Sequence, residues 1–128
     1  MRTTGKKEIE SVLRLDGPTR FAHFVKRVVD DQRAWGLWKD GWALMEEERG
    51  KVFPLWPARE YAEALRFGEW SDYEPSEITL DDLLCDLIPK LEKRGVYPGV
   101  FPTPSGKGVV VTCTELSGAL LEEMKRYQ

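Results

Sequence analysis

The sequence predicts an α+β fold: a mostly antiparallel mixed β-sheet of about five strands packed with four to five helices. Three observations predict it. A helical stripe of apolar residues runs from Phe21 to Val29. At Trp35 the helical period gives way to short aromatic and β-branched runs punctuated by turn signals. The second half alternates helical stripes with two further strand-like runs before a capped final helix.

The elements follow in order. Residues 1–5 carry no apolar pattern and are expected to fray. Ile9, Val12 and Leu13 fall at helical spacing, which predicts a short helix over Lys6 to Leu15. Asp16, Gly17 and Pro18 break it and restart the next, since proline suits a first helical position. Phe21, Phe24, Val25, Val28 and Val29 then form one apolar face, predicting a helix from Pro18 to Gln32. The opposite face carries Arg20, His23, Lys26, Arg27, Asp30 and Asp31, read as solvent-facing.

Trp35 to Trp56 reads as an antiparallel meander. Asp40 and Gly41 form a hairpin signal. Trp42 to Met45 is apolar at every position, as in a strand buried on both faces. A polar turn over Glu46 to Gly50 precedes a strand from Val52 to Leu55. Pro57 opens a helix whose inner face is Ala58, Tyr61, Ala62 and Leu65, and Gly68 stops it. Glu69 to Pro75 is an aromatic, acidic loop, and Ser76 to Thr79 a short edge strand. Thr79 caps a leucine-striped helix, Leu80 to Leu91. Pro89 lies inside that stripe, removes one backbone donor and predicts a kink or a break. Gly95 ends the helix. Val96 to Phe101 reads as a strand, placed at an edge or bulge by Pro98. A turn over Pro102 to Gly108 leads to a strand, Lys107 to Val111. Thr112 and Glu115 then form a capping box for a last helix through about Arg126.

Length and composition exclude several classes. At 128 residues the chain is expected to be one domain, 1–128. Hydrophobic residues make up 41%, enough for a core without disulfide or metal support. The formal net charge of −3 argues against nucleic-acid binding, which rests on cationic counterion release. No window approaches a membrane span, and the opening residues have no signal-type apolar run, so a cytoplasmic protein is expected. Cys85 and Cys113 lie in apolar contexts outside any CxxC pair and read as buried, reduced thiols. His23 is the one histidine. It is read as exposed, and alone it excludes HExxH and Cys/His zinc patterns. No GxSxG elbow accompanies it. The stretch Pro104 to Gly108 suggests a phosphate loop, but Phe101 and Gly108 stand where that motif needs glycine and a hydroxyl. No catalytic residue, cofactor or metal is therefore expected.

The tryptophans remain as candidates. Four of the five fall between Trp35 and Trp56. Trp38, Trp56 and Trp70 sit beside turns or helix ends, where an indole can keep one edge wet, and Tyr73 is close to Trp70. Trp42 reads as core. An aromatic patch of Trp38, Trp56, Trp70 and Tyr73, with Arg59 and Lys107 as polar rim, is the expected binding surface. The expected function is a non-catalytic protein-interaction module, an adaptor or immunity-type protein, whose partner is another protein. The alternative is a small-ligand binder or enzyme with a tryptophan-lined pocket served by Arg59, Glu60 or Lys107.

Several motifs in one order carry a family resemblance. Trp35-Gly-Leu, Gly41-Trp-Ala-Leu44, Phe53-Pro-Leu-Trp-Pro57, Glu60-Tyr-Ala62, Gly68-Glu-Trp70 and the run from Phe101 to Gly108 followed by three valines are the residues concerned. From about Phe21 to Leu121 the chain resembles a small bacterial family known as domain of unknown function 2750. More distantly it is similar to the N-terminal domain of the secretion-enhancer SseB family. There a serine or threonine caps the helix that Leu55-Trp56-Pro57 opens here. Neither resemblance implies a catalytic residue.

Overall fold

The computed structural model describes residues 5–104, 106 and 108–127. Helix α1 (Lys6–Leu13) buries Val12. Helix α2 (Gly17–Asp31) begins where the Asp16 carboxylate accepts a hydrogen bond from the Thr19 amide at 2.8 Å. It ends at Gln32, in the left-handed region at φ 61°. Phe24, Val25, Val28 and Val29 are buried as the stripe demands, with Phe21 packed at the margin.

The opposite face of α2 differs from the sequence expectation. Arg20 and Arg27 are buried. Arg20 donates from Nε to the Phe101 carbonyl (3.1 Å) and from Nη1 to the Leu15 carbonyl (2.7 Å). Arg27 pairs with Asp31 (2.9 Å) and Glu8 (3.2 Å). Long stems that pack while their heads find acceptors make such burial tolerable. His23 is half-buried, edge-on to Tyr61 and tilted against Phe101, so the exposed reading is corrected.

The expected class is found: an α+β fold, with six strands in two sheets. The expected meander is not. Strand β1 (Arg33–Trp38) leaves it and pairs antiparallel with β4 (Glu74–Thr79), from Arg33 opposite Thr79 to Trp38 opposite Glu74. Strands β2 (Met45–Glu47) and β3 (Gly50–Leu55) form a tight hairpin, closed by Glu48 and Arg49. Of the expected strand over Trp42 to Met45, only Met45 joins a ladder. Asp40 and Gly41 both take positive φ, 55° and 150°. They fold the chain back so that Trp42 bridges Trp38, and Leu44 faces solvent. The two sheets meet where the Trp35 and Trp56 amides and carbonyls exchange hydrogen bonds, both 2.9 Å.

The larger sheet runs β2-β3-β5-β6. Strand β5 (Tyr97–Val100) lies parallel to β3 and antiparallel to β6 (Val109–Val110). Pro98 thus occupies an interior strand, against expectation. A residue's N–H and C=O point to the same side of a strand. The Pro98 carbonyl accepts from the Val111 amide at 3.1 Å, on the β6 side. Its missing donor therefore also faces β6, opposite Val111 just past the two-residue ladder, and takes nothing from the pairing with β3.

Helix α3 (Arg59–Glu63) is shorter than the Pro57 to Gly68 span expected, though it buries Tyr61 and Ala62 as foreseen. A 3-10 turn (Gly68–Trp70) follows. Helix α4 (Leu80–Asp82), capped by Thr79, widens into a π turn (Leu83–Leu87) and continues as α5 (Ile88–Arg94). The kink expected from Pro89 takes this form. With no Pro89 N–H to bind the Cys85 carbonyl, the helix absorbs the fault in a wider turn just upstream. Cys85 is exposed on that turn, which corrects the buried reading, and Cys113 is buried as expected. Helix α6 (Cys113–Met124) carries the expected capping box, and a 3-10 turn (Lys125–Tyr127) closes the chain. All these elements except β2 and the 3-10 turn at Lys125–Tyr127 contribute to one apolar cluster.

Candidate functional site

Of the six residues expected at the binding surface five are described, and these five do not share one exposed patch. Trp56 is fully buried, and its indole Nε1–H donates to the Pro102 carbonyl at 2.9 Å. It is a core residue and cannot head a surface patch. Trp70 is half-buried and stands edge-on to Trp56, with centroids 6.2 Å apart. Tyr73 packs partly buried against the same cluster. Arg59 is exposed at the start of α3. Lys107 lies outside the described residues. Trp38 alone remains a strongly exposed indole, 44% accessible.

Trp38 marks a different site. It closes β1, and the turn at Asp40 and Gly41 returns the chain so that Trp42 meets it edge to face (5.0 Å, 82°). Trp42 in turn tilts against Phe53 of β3 at 5.6 Å. Its ring lies over Gly36, where a Cβ would stand 2.9 Å from the indole. The glycine therefore lets the ring approach β1 closely. On the far side the π turn and α5 present Leu87 and Leu91, and Val96 begins the next segment.

Together these residues line an open groove of about 570 Å3. This is the size of many ligand sites. Leu44, 44% accessible, forms its lip with Trp38. Lys51 shares a strand face with Phe53, and Lys90 and Arg94 reach the rim from α5. Asp86 is the one acidic rim residue and pairs with Lys90 at 3.2 Å. Lys51 faces Glu46 across the ladder, yet neither it nor Arg94 forms an ion pair among the described residues. Beyond Trp42 a smaller hollow of about 130 Å3 is lined instead by Glu77, Asp82 and Asp86. The rim thus carries three cations against one carboxylate on a chain whose net charge is −3.

Groups whose proton affinity is displaced lie elsewhere. Hydrogen bonds from Thr19 hold the Asp16 carboxyl below its ordinary range. Those with Thr112 do the same for Glu115. Burial, and then the Glu92 charge, push the Cys113 thiol up. Among the described residues no group of three or more His, Cys, Asp or Glu side chains could hold a metal ion. No helix there is long and apolar enough to cross a membrane.

Sequence reasoning missed Trp42, Leu44, Lys51, Phe53, Leu87, Lys90 and Arg94. One signal was available. Trp38 and Trp42 flank a tight turn, and residues that flank such a turn are brought face to face. No comparable signal brought α5 to this side.

A family model described as protein of unknown function (DUF2750) matches residues 21–120. The chain belongs to that family. No curated protein and no solved structure matches it. The more distant likeness to the SseB family is not shown by these comparisons.

Proposed function

We propose that this member of the family is a non-catalytic protein-interaction module of adaptor or immunity type, working in the bacterial cytoplasm. The groove between Trp38, Leu44, Phe53 and Leu91 would be its contact surface. The observation that carries this reading is the exposure of Trp38 and Leu44 at the lip of an aromatic concavity. Tryptophan dominates binding energy at protein interfaces because a large rigid surface is desolvated at small entropic cost. A small-molecule site encloses most of its ligand. This groove is only half enclosed and leaves Trp38 and Leu44 at its lip exposed, which favours a macromolecule.

Affinity capture from lysate of the source organism tests the reading. Wild type is compared with Trp38→Ala and with Phe67→Ala, which removes an exposed aromatic outside the groove. One stoichiometric partner kept by Phe67→Ala and lost by Trp38→Ala is expected. Capture unaffected by Trp38→Ala overturns the site. Absence of any partner for a folded bait turns the reading to the alternative, a small ligand.

A further inference from the structure

We infer that the occupant of the groove is an acidic segment of a partner protein that inserts one aromatic or branched apolar side chain between Trp38, Phe53 and Leu91. The inference rests on the groove being the interaction surface and adds the chemistry of what fills it. Two observations carry it. The floor is apolar: Trp42, Phe53, Leu87, Leu91 and Val96 offer dispersion and desolvation to a single anchor. The rim is cationic, and its charges come from two unrelated elements. Arg94 lies in the last turn of α5, where a cation also complements the helix dipole. That cannot account for Lys51, which stands on β3 at the opposite wall.

Cations converging on a groove of a net-acidic chain attract carboxylates locally and repel acidic partners elsewhere. The carboxylate-lined hollow beyond Trp42 sets a direction. An acidic segment runs along the Lys51, Lys90 and Arg94 side and stops at Trp42. Single-stranded nucleic acid also uses aromatic residues with cations, but it needs a positive track longer than one groove. Glu77, Asp82 and Asp86 block that track on one side.

The test is direct titration of the full chain, followed by fluorescence anisotropy and by the indole N–H signals of Trp38 and Trp42. The probe is a labelled heptapeptide of acidic residues around a central tryptophan. Three comparators are used: the same peptide with lysines for its acids, with serine for its tryptophan, and a thymidine oligonucleotide. Indole-3-propionate serves as the small aromatic anion. The acidic tryptophan peptide is expected to bind about tenfold or more tighter than each comparator, as a loss of complementary charge or of the anchor implies. Added salt and the double variant Lys51→Glu with Arg94→Glu should each weaken it severalfold, while the double variant keeps its circular dichroism.

Equal binding of the lysine peptide, tighter binding of the oligonucleotide, or no response to charge reversal overturns the acidic occupant. Indole-3-propionate binding as tightly as the peptide overturns a macromolecular one. If a captured partner depends on Trp38 while acidic peptides fail, the chemistry is wrong and the interaction site stands. If Trp38→Ala changes neither capture nor peptide binding, both fall.

Discussion

Two tryptophans of this chain do opposite work. Trp56 is enclosed and spends its one polar group on the Pro102 carbonyl, tying β3 to the turn that follows β5. Trp38 meets Trp42 edge to face and leaves 44% of its surface accessible. Truncation should separate them. Trp56→Ala opens a large cavity and strands a buried carbonyl, at about 3–5 kcal/mol. Trp38→Ala loses one edge-to-face contact and the covered part of the indole but leaves no enclosed cavity, at about 1–2 kcal/mol. Urea unfolding of both variants measures the contrast. A Trp38 variant as unstable as the Trp56 variant would make that indole structural and remove the groove's claim to function. The same pair shows what sequence can and cannot say about a site. Aromatic residues beside turns are legible as candidates. Which indole is wet depends on contacts made from residues far along the chain, such as Pro102 for Trp56, and no local pattern encodes them.

At the level of elements, the legible features were those whose physics is local. The break and restart at Asp16 to Pro18, the Thr79 cap, the Gly95 stop and the Thr112–Glu115 capping box all formed where the residues required. Strand pairing was not legible. β1 and β2 are close in sequence and read as neighbours, yet β1 finds β4 because Asp40 and Gly41 turn the intervening chain back on itself. The capping box of α6 gives a measurable consequence. Thr112 Oγ1 accepts from the Glu115 amide and Glu115 Oε1 accepts from the Thr112 amide, both at 3.0 Å. Thr112→Val should cost about 1 kcal/mol. Glu115 adds a pH dependence. Its folded carboxyl lies below the ordinary value of 4.5, so its stabilisation is present above that pH. It is lost as pH falls through the folded value, since protonation removes the acceptor charge. Glu115→Gln should therefore flatten the stability profile below about pH 4.5 and leave it unchanged in slope near pH 7. An unchanged acid limb in that variant would mean the box contributes nothing through charge.

Across the whole molecule, β5 is the element on which the rest converges. It receives β3 on one side and β6 on the other, and the segment beyond Gly95 supplies Val100, Phe101, Leu116 and Leu120, all fully buried. Phe101 is the hub of that segment. Its amide donates to the Leu55 carbonyl, its carbonyl accepts from Arg20, and its ring meets Tyr61 and His23. These contacts join α2, β3 and α3 to a stretch of chain forty or more residues further on, so neither half can complete a core alone. The parallel β3–β5 pair also forces this dependence, because its crossover must be long while each strand needs the other for its hydrogen bonds. The chain should accordingly unfold in one transition, with near- and far-ultraviolet circular dichroism coincident in urea. A fragment ending at Gly95 keeps α1 to α5 and the groove-lining Trp38, Trp42 and Leu91, yet it bares the outer edge of β3 and leaves the Arg20 guanidinium without the Phe101 carbonyl. We expect it to show residual helix without a cooperative transition and to bind no partner. A fragment that unfolds sigmoidally would mean that the groove stands on an independent unit and that β5 merely docks onto it.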